Sequence, residues 1–186
     1  MNCSPHRPKP LGNRSLRTST PPSANASTTT GAAPGAAPGA APGAGTLILL
    51  SKDALCASAA AVNQRFDVRA SDVLLSVLPD FHVGGLGLHA RAHLSGAQVI
   101  SAYAERWQPA VAYRQLVDNK ISLVSLVPTQ LFDLVRDFSA PPSLRAVIVG
   151  GGRLESELHQ RARERGWPVF ASYGLTECSS QVAVSS

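Results

Sequence analysis

A polar segment from Tyr173 to Glu177 follows a short apolar run and carries side chains that a nucleotide site needs. The Tyr173 ring can stack on a base, and the Thr176 hydroxyl can bond a phosphate oxygen. The Glu177 carboxylate can hold a Mg²⁺ ion that bridges phosphates. A solvated turn would also account for polar residues here, but not for their order directly after a buried strand. We therefore interpret this segment as a candidate nucleotide-binding loop.

Two other loops combine a strand end with residues that allow a ligand to approach closely. In the segment 78–86 a strand runs into a proline turn, and His82 stands just before Gly84 and Gly85. This pattern fits a histidine beside a ligand, and it equally fits a histidine that caps a helix. Three glycines at 150–152 join another strand to a helix, where the backbone can contact a planar or phosphate-bearing ligand. A tight turn alone would also explain these glycines.

Short apolar runs alternate with helical patterns from Thr46 onward, which is typical of an α/β fold. Because strands that are apolar throughout are covered on both faces, we predict a mostly parallel sheet flanked by helices in three layers. Ligands bind beyond the carboxyl ends of such strands, which is where all three loops lie. The predicted strands are Leu47–Leu50, Val73–Val77, Gln98–Ser101, Leu123–Val127, Arg145–Val149, Val169–Ser172 and one near Gln181–Val184.

Three apolar stripes at helical spacing predict amphipathic helices between these strands. Ser51 is placed to cap the first helix, and Gly166 to end the third. An ion pair between Glu157 and Arg161 is predicted on the solvent face of the third helix. The stripes are Leu55, Ala59, Val62 and Phe66; Leu131, Leu134, Val135 and Phe138; and Leu154, Leu158 and Ala162.

The first 45 residues differ sharply in composition from the remainder of the chain. They consist largely of Ser, Thr, Pro, Ala and Gly, with Gly-Ala-Ala-Pro repeated from residue 31, and they hold four basic residues and no acid. We predict a disordered tail over residues 1–45 and a partial AMP-binding domain over residues 46–186. An organelle transit peptide is the alternative interpretation of the tail. Since the tail carries +4 of the total charge of +5, the folded part is left at +1, and no nucleic-acid partner is expected.

No apolar run reaches the roughly 18 residues that a membrane-spanning helix needs, and no apolar stretch near residue 1 resembles a secretory signal. We therefore expect no membrane span and a cytoplasmic location. Cys3, Cys56 and Cys178 are far apart and odd in number, so we interpret them as free thiols.

Four motifs occur in a fixed order between residues 78 and 177. They are Leu-Pro-Asp-Phe-His-Val-Gly-Gly-Leu at 78–86, Val-Pro-Thr at 127–129, Gly-Gly-Gly at 150–152 and Tyr-Gly-Leu-Thr-Glu at 173–177. This series resembles the adenylate-forming superfamily, whose signatures include Leu-Pro-x-Phe-His-x-x-Gly and Tyr-Gly-x-Thr-Glu. That superfamily includes acyl-CoA synthetases, luciferases and peptide-synthetase adenylation domains. The Ser51–Leu55 helix entry and the Ser-Ser-Gln segment at 179–181 most resemble the o-succinylbenzoate-CoA ligases of menaquinone biosynthesis.

The resemblance implies an ATP-dependent ligase that converts a carboxylate into an acyl-AMP and then into a CoA thioester. It implies ATP or AMP, Mg²⁺ and CoA as cofactors, and a small-molecule carboxylate as substrate. Thr176, Glu177 and His82 are the implied catalytic residues, with Glu177 as the magnesium ligand. The implied nucleotide contacts are Gly150, Gly151, Gly152, Tyr173, Gly174 and Thr176, and the implied substrate contacts are His82, Ser179, Ser180 and Gln181.

The resemblance covers about residues 46–186, and parts of the family pattern are not found in the sequence. A phosphate loop ending in Pro-Lys is expected before Thr46, where Gly-Ala-Pro repeats stand instead. The downstream ribose-binding aspartate and the C-terminal catalytic lysine are also not found. We therefore expect a truncated, poorly active domain whose sheet is completed by a missing portion or an oligomer partner. A non-catalytic remnant of such a ligase is the main alternative.

A dinucleotide-binding oxidoreductase is a second functional class, because residues 85–90 read G-x-G-x-x-A. Residues 79–83 separate these glycines from the strand, however, whereas the dinucleotide fingerprint follows its strand directly. His89 and His93 have the spacing of a metal-binding pair on a helix, but a third ligand is not apparent. A hydrolase is disfavoured because the sequence has no G-x-S-x-G elbow to present a nucleophile.

Overall fold

The computed structural model describes residues 48–103 and 106–185. The predicted tail lies outside the described residues, and the domain boundary at residue 46 stays a prediction. Helices and strands alternate along the described part in the order α1 (Lys52–Phe66), β1 (Val73–Ser76), α2 (Val83–Ser95), β2 (Gln98–Ser101), α3 (Pro109–Asp118), β3 (Leu123–Leu126), α4 (Pro128–Asp137), β4 (Ala146–Val149), α5 (Ser156–Glu164), β5 (Val169–Leu175) and β6 (Ser180–Ser185).

The six strands form one sheet in the order β2-β1-β3-β4-β5-β6. All neighbouring pairs are parallel except β5 and β6, which are antiparallel. Every residue of β3 and of β4 is buried. The predicted mostly parallel sheet flanked by helices is therefore confirmed, and its central strands are covered on both faces as their apolar sequences indicate.

Side chains that alternate along the strands supply two apolar clusters, one on each face of the sheet. Leu74, Leu123 and Ile148 pack with Val62 of α1 and Leu88 of α2 on one face. The other face carries the larger cluster, which contains Leu75, Val124, Val147, Leu116 of α3, Leu131, Leu134 and Val135 of α4, and Leu158 and Ala162 of α5. This three-layer arrangement fixes the carboxyl ends of β1, β3, β4 and β5 along one edge of the sheet.

Two local predictions are wrong. Residues 48–50 form no strand, and Leu49 is 92% exposed, because none of the described strands pairs with this apolar run in a hydrogen-bonded ladder. Arg161 does not pair with Glu157; its guanidinium lies over the Phe132 ring, 5.1 Å from the ring centroid, in a cation–π contact. The Ser51 cap is confirmed, since its hydroxyl accepts a hydrogen bond from the Ala54 amide at 3.0 Å.

Candidate functional site

A cavity of about 520 Å³ opens at the carboxyl ends of the central strands. Four connections form its walls, namely the segments after β1, β3, β4 and β5. These are the positions at which the sequence predicts ligand contacts, because the strands of a parallel sheet end together at one edge. The cavity is therefore the candidate site.

The loop between β1 and α2 forms one wall of the cavity through Leu78, Pro79 and His82. Gly85 packs so tightly on this loop that a Cβ atom there would lie 2.2 Å from the Pro79 carbonyl oxygen. His82 stands at the N-cap of α2, but its side chain makes no capping hydrogen bond. The imidazole is therefore not engaged as a helix cap, and His82 lines the cavity.

The predicted dinucleotide fingerprint lies within α2 and does not form a strand-to-helix turn. Gly85 and Gly87 are both buried, and a Cβ at Gly87 would meet the Ser180 hydroxyl oxygen at 3.4 Å. These glycines allow protein to pack on protein, whereas a dinucleotide fold uses them to approach a pyrophosphate. The oxidoreductase interpretation is wrong for this reason.

The glycine-rich segment after β4 forms a second wall through Gly150 and Gly151. The Gly150 amide donates to the Leu126 carbonyl at 3.1 Å, which continues the ladder between β4 and β3 into the loop. Gly152 is exposed and does not line the cavity. Two of the three glycines thus offer backbone to a ligand in the cavity.

The hairpin of β5 and β6 forms the third wall. The Tyr173–Glu177 motif begins inside β5, which runs to Leu175 and so extends past the predicted strand end at Ser172, and it continues into a 3-10 turn at Thr176–Cys178. Gly174, Thr176, Ser180 and Gln181 line the cavity. Tyr173 is 64% exposed and Glu177 is exposed, and neither side chain lines the cavity. Ser179 is buried at 3% exposure and does not line the cavity. The motif therefore splits between the cavity wall and the adjoining surface.

The structure brings most of the predicted site residues to one cavity, although their roles stay predictions. Those that line the cavity are His82, Gly150, Gly151, Gly174, Thr176, Ser180 and Gln181, and those that do not are Gly152, Tyr173, Glu177 and Ser179.

Arg91 is a cavity residue that the sequence reasoning missed. It lies on α2 with 7% exposure, and its Nε donates to the Gly87 carbonyl at 3.2 Å while Nη2 donates to the Ser125 hydroxyl at 3.0 Å. No described carboxylate forms an ion pair with it. Burial lowers the pKa of Arg91 to about 10, so the guanidinium stays charged at neutral pH. A buried cation without an anionic partner is costly, and an anionic ligand would supply the missing charge.

A signal for Arg91 does exist in the sequence. It follows Leu88 by three residues and directly precedes Ala92, and both of these are buried. Helical spacing therefore places Arg91 on the apolar face of α2, where a charged side chain is rare unless it is paired.

Hydroxyl and carboxylate oxygens suit Mg²⁺, and Thr176 and Glu177 supply both at the edge of the site. Within the ranges 48–103 and 106–185, no group of three His, Cys, Asp or Glu side chains is arranged to hold a metal ion on its own. His89 instead contacts Asp80, with 2.9 Å between Nε2 and Oδ1. A metal here would therefore be held jointly with a ligand that brings its own oxygens.

None of the described helices has both the length and the apolar character to cross a membrane.

Comparisons with known proteins agree on one family. A family profile described as AMP-binding enzyme matches residues 47–186. The 2-succinylbenzoate–CoA ligase of Bacillus cereus (strain Q1) is 32% identical over 133 residues, which are 70% of this chain and 27% of the relative. The o-succinylbenzoate CoA synthetase (MenE) of Bacillus subtilis, in complex with the acyl-adenylate intermediate OSB-AMP, superposes with a TM-score of 0.70 at 28% identity, covering 74% of this chain and 28% of that one.

A second structure of the Bacillus subtilis enzyme, in complex with ATP and magnesium ion, gives a TM-score of 0.68 at 28% identity over 72% of this chain and 28% of that one. The chain thus spans about a quarter of the length of the relatives it matches.

Proposed function

The chain belongs to the AMP-binding enzyme family of adenylate-forming acyl-CoA synthetases, and we propose that its cavity binds the acyl end of a dicarboxylate acyl-adenylate. The observation that carries this proposal is Arg91, a buried cation on the cavity wall without a described acidic partner. Because the chain spans 27% of its curated relative, the complete reaction is proposed for the protein as a whole.

The proposed substrate is o-succinylbenzoate, which is named in the relatives and has two carboxylates. One carboxylate must reach the nucleotide to be activated, and the other remains negative throughout the reaction. Arg91 and the Ser125 hydroxyl would bind this second carboxylate by charge-assisted hydrogen bonds. A substrate with a single carboxylate would leave the Arg91 cation unpaired, so the site would select against it.

On the nucleotide side, Gly150, Gly151 and Gly174 would offer backbone to the adenosine, and Tyr173 and Gly152 would meet it from the adjoining surface. The Thr176 hydroxyl would bond a phosphate oxygen. The Glu177 carboxylate forms no ion pair with a described residue, which leaves it available to Mg²⁺. When bound, Mg²⁺ would neutralise phosphate charge.

In the proposed reaction a carboxylate oxygen attacks the α-phosphorus of ATP, and the bond from that phosphorus to pyrophosphate breaks. The CoA thiolate then attacks the acyl carbon, a thioester forms, and AMP leaves with the carboxylate oxygen. His82 and Thr176 both line the cavity. Their role would be to orient the carboxylate for attack rather than to bond covalently with it.

A nuclear magnetic resonance titration tests the proposal on the ¹⁵N-labelled chain. The probe is a non-hydrolysable acyl-sulfamate analogue of o-succinylbenzoyl-AMP. We expect its binding to shift the amide signals of Gly150, Gly174 and Thr176, together with the Arg91 side-chain Nε signal. Shifts confined to another face, or none at saturating probe, would contradict the proposal and favour a remnant that no longer binds ligands.

A further inference from the structure

We propose that Ser172 is a positioning residue that holds the Gln181 side-chain amide at the acyl end of the cavity, where Gln181 donates a hydrogen bond to an oxygen of the acyl group. This inference rests on the proposed function and assigns to the same site a device that selects its substrate. Both residues line the cavity, and Gln181 Nε2 donates to Ser172 Oγ at 2.9 Å. A primary amide has two N–H donors, and only one of those of Gln181 is used by a described residue, Ser172.

The hairpin between β5 and β6 explains why these two side chains meet. Ser172 pairs with Val184 and Gly174 pairs with Gln181, with a register shift between Tyr173 and Gly174. Gly174 has no side chain, and a Cβ there would lie 3.0 Å from the Gln181 Cα. The backbone of Ser180 and Gln181 fills the place that a side chain at 174 would take, so β6 approaches β5 closely here. Gln181 then lies diagonally across the strand pair from Ser172, and its side chain reaches the Ser172 hydroxyl.

The backbone before Gln181 is held in an uncommon conformation. Ser179 and Ser180 have φ values of 57° and 104°, and the Ser180 carbonyl oxygen lies 1.8 Å from the place where a Gly174 Cβ would be. Conformations of this kind persist only when the surrounding structure enforces them, and they concentrate at ligand sites. The turn sets the direction from which Gln181 enters the cavity.

The contact between Ser180 and α2 shows that the hairpin of β5 and β6 lies at the same end of the cavity as Arg91. The Ser180 hydroxyl oxygen would be 3.4 Å from a Cβ on Gly87, and the Gly87 carbonyl accepts the hydrogen bond from Arg91 Nε. The acyl end thus combines one cation, Arg91, with one oriented neutral donor, Gln181. A cation neutralises a carboxylate, whereas a neutral amide recognises an oxygen without adding charge. The geometry points to an acyl group that carries a further keto or carboxylate oxygen for Gln181, between the carboxylate that Arg91 binds and the end that is joined to AMP.

A double-mutant cycle on the full chain tests whether Ser172 acts through Gln181. The dissociation constant of the o-succinylbenzoyl acyl-sulfamate probe is measured by calorimetry for the unaltered chain, Ser172→Ala, Gln181→Ala and the double variant. We expect each single change to weaken binding about fivefold, as the loss of one neutral hydrogen bond does, and the double variant to be no weaker than Gln181→Ala. Ser172→Thr keeps the hydroxyl and should bind within about twofold of the unaltered chain.

Ser76→Ala is the matched control, since Ser76 is a buried serine of the same sheet that does not line the cavity and whose hydroxyl has no hydrogen-bond partner among the described residues. It should leave the dissociation constant unchanged. A readout without ligand is the Gln181 side-chain amide signal, whose hydrogen exchange should speed up in Ser172→Ala and stay slow in Ser172→Thr.

The outcomes separate the two proposals. If the unaltered chain binds no acyl-sulfamate, the proposed function is refuted, and this inference with it. If the unaltered chain binds and Ser172→Ala binds equally well, or if the two single effects multiply in the double variant, the positioning role alone is overturned.

Discussion

Replacing Arg91 with methionine should stabilise the fold and weaken dicarboxylate binding at the same time. The lowered pKa of about 10 corresponds to a free-energy cost of about 3 kcal/mol for keeping the buried cation. Methionine removes that cost, but it also removes the hydrogen bonds to the Gly87 carbonyl and the Ser125 hydroxyl, which together contribute about 2 kcal/mol. The net gain of about 1 kcal/mol should raise Tm by about 2–4 °C.

The rise in Tm on replacing Arg91 with methionine should not depend on pH near neutrality. A lowered folded-state pKa means that the unfolded chain holds this proton more tightly, so stability would rise only as the pH passes upward through about 10. Between about pH 6 and 8 the cation is intact in both states, and the difference in Tm between the two proteins should be constant. In the same variant, Arg91→Met, the loss of the charge-assisted contact between Arg91 and the ligand carboxylate should weaken binding of the dicarboxylate probe by about 30-fold.

Thermal unfolding and calorimetric titration measure the two effects on the same samples. Arg91→Lys keeps the charge and should show no gain in Tm. Arg114→Met is the matched control, because Arg114 is exposed on α3 and makes no ion pair with a described residue, so neither Tm nor affinity should change. A lower Tm for Arg91→Met together with undiminished affinity would refute the assignment of Arg91 as a ligand-pairing cation.

Three further predictions concern other parts of the chain. Gly174→Ala should destabilise the fold by about 2 kcal/mol in urea unfolding, because the new Cβ meets the Ser180 carbonyl, whereas Gly150→Ala meets only ordinary contacts at 3.6 Å and should change little. Burial alone would raise the pKa of Asp72, but hydrogen bonds from Arg145, the Arg69 amide and Ser122 hold it below its usual value. Its stabilisation is present above the ordinary carboxyl pKa and is lost in stronger acid, so Asp72→Asn should flatten the acid limb of a stability–pH curve and cost about 2 kcal/mol at pH 7. Mg²⁺ should increase the affinity for ATP about tenfold in calorimetry, and Glu177→Ala should abolish this increase. An increase of the same size in the variant would exclude Glu177 as the metal ligand.

The strands and the place of the site could be predicted from sequence because both depend on local patterns. Continuous apolar runs such as Ala146–Val149 indicate strands buried on both faces, and the carboxyl-end rule then locates the loops that line the cavity. The run predicted as a strand at 47–50 has the same local pattern, but residues 48–50 pair with none of the described strands, and pairing is a property of the whole sheet.

The hydrogen bonds that position Arg91 and Gln181 could not be predicted because they join separate segments of the chain. Ser125 lies 34 residues beyond Arg91, inside an apolar strand where a small polar residue carries no signal. The contact between Ser172 and Gln181 depends on the register shift in the hairpin, which no periodicity records. Likewise, the motif at 173–177 predicts nucleotide contacts, but only the fold shows that Thr176 lines the cavity while the exposed Glu177 does not.

The affinity ratio for two matched probes tests the central claim most directly. One probe is the o-succinylbenzoyl acyl-sulfamate, and the other is its methyl ester at the carboxylate that is not activated, so that the two differ by a single negative charge. If Arg91 pairs with that carboxylate, calorimetry on the unaltered chain should show the free acid binding at least about tenfold more tightly than the ester, and Arg91→Met should bring the ratio close to one. Equal affinities for the two probes in the unaltered chain would contradict the claim that this cavity recognises a dicarboxylate.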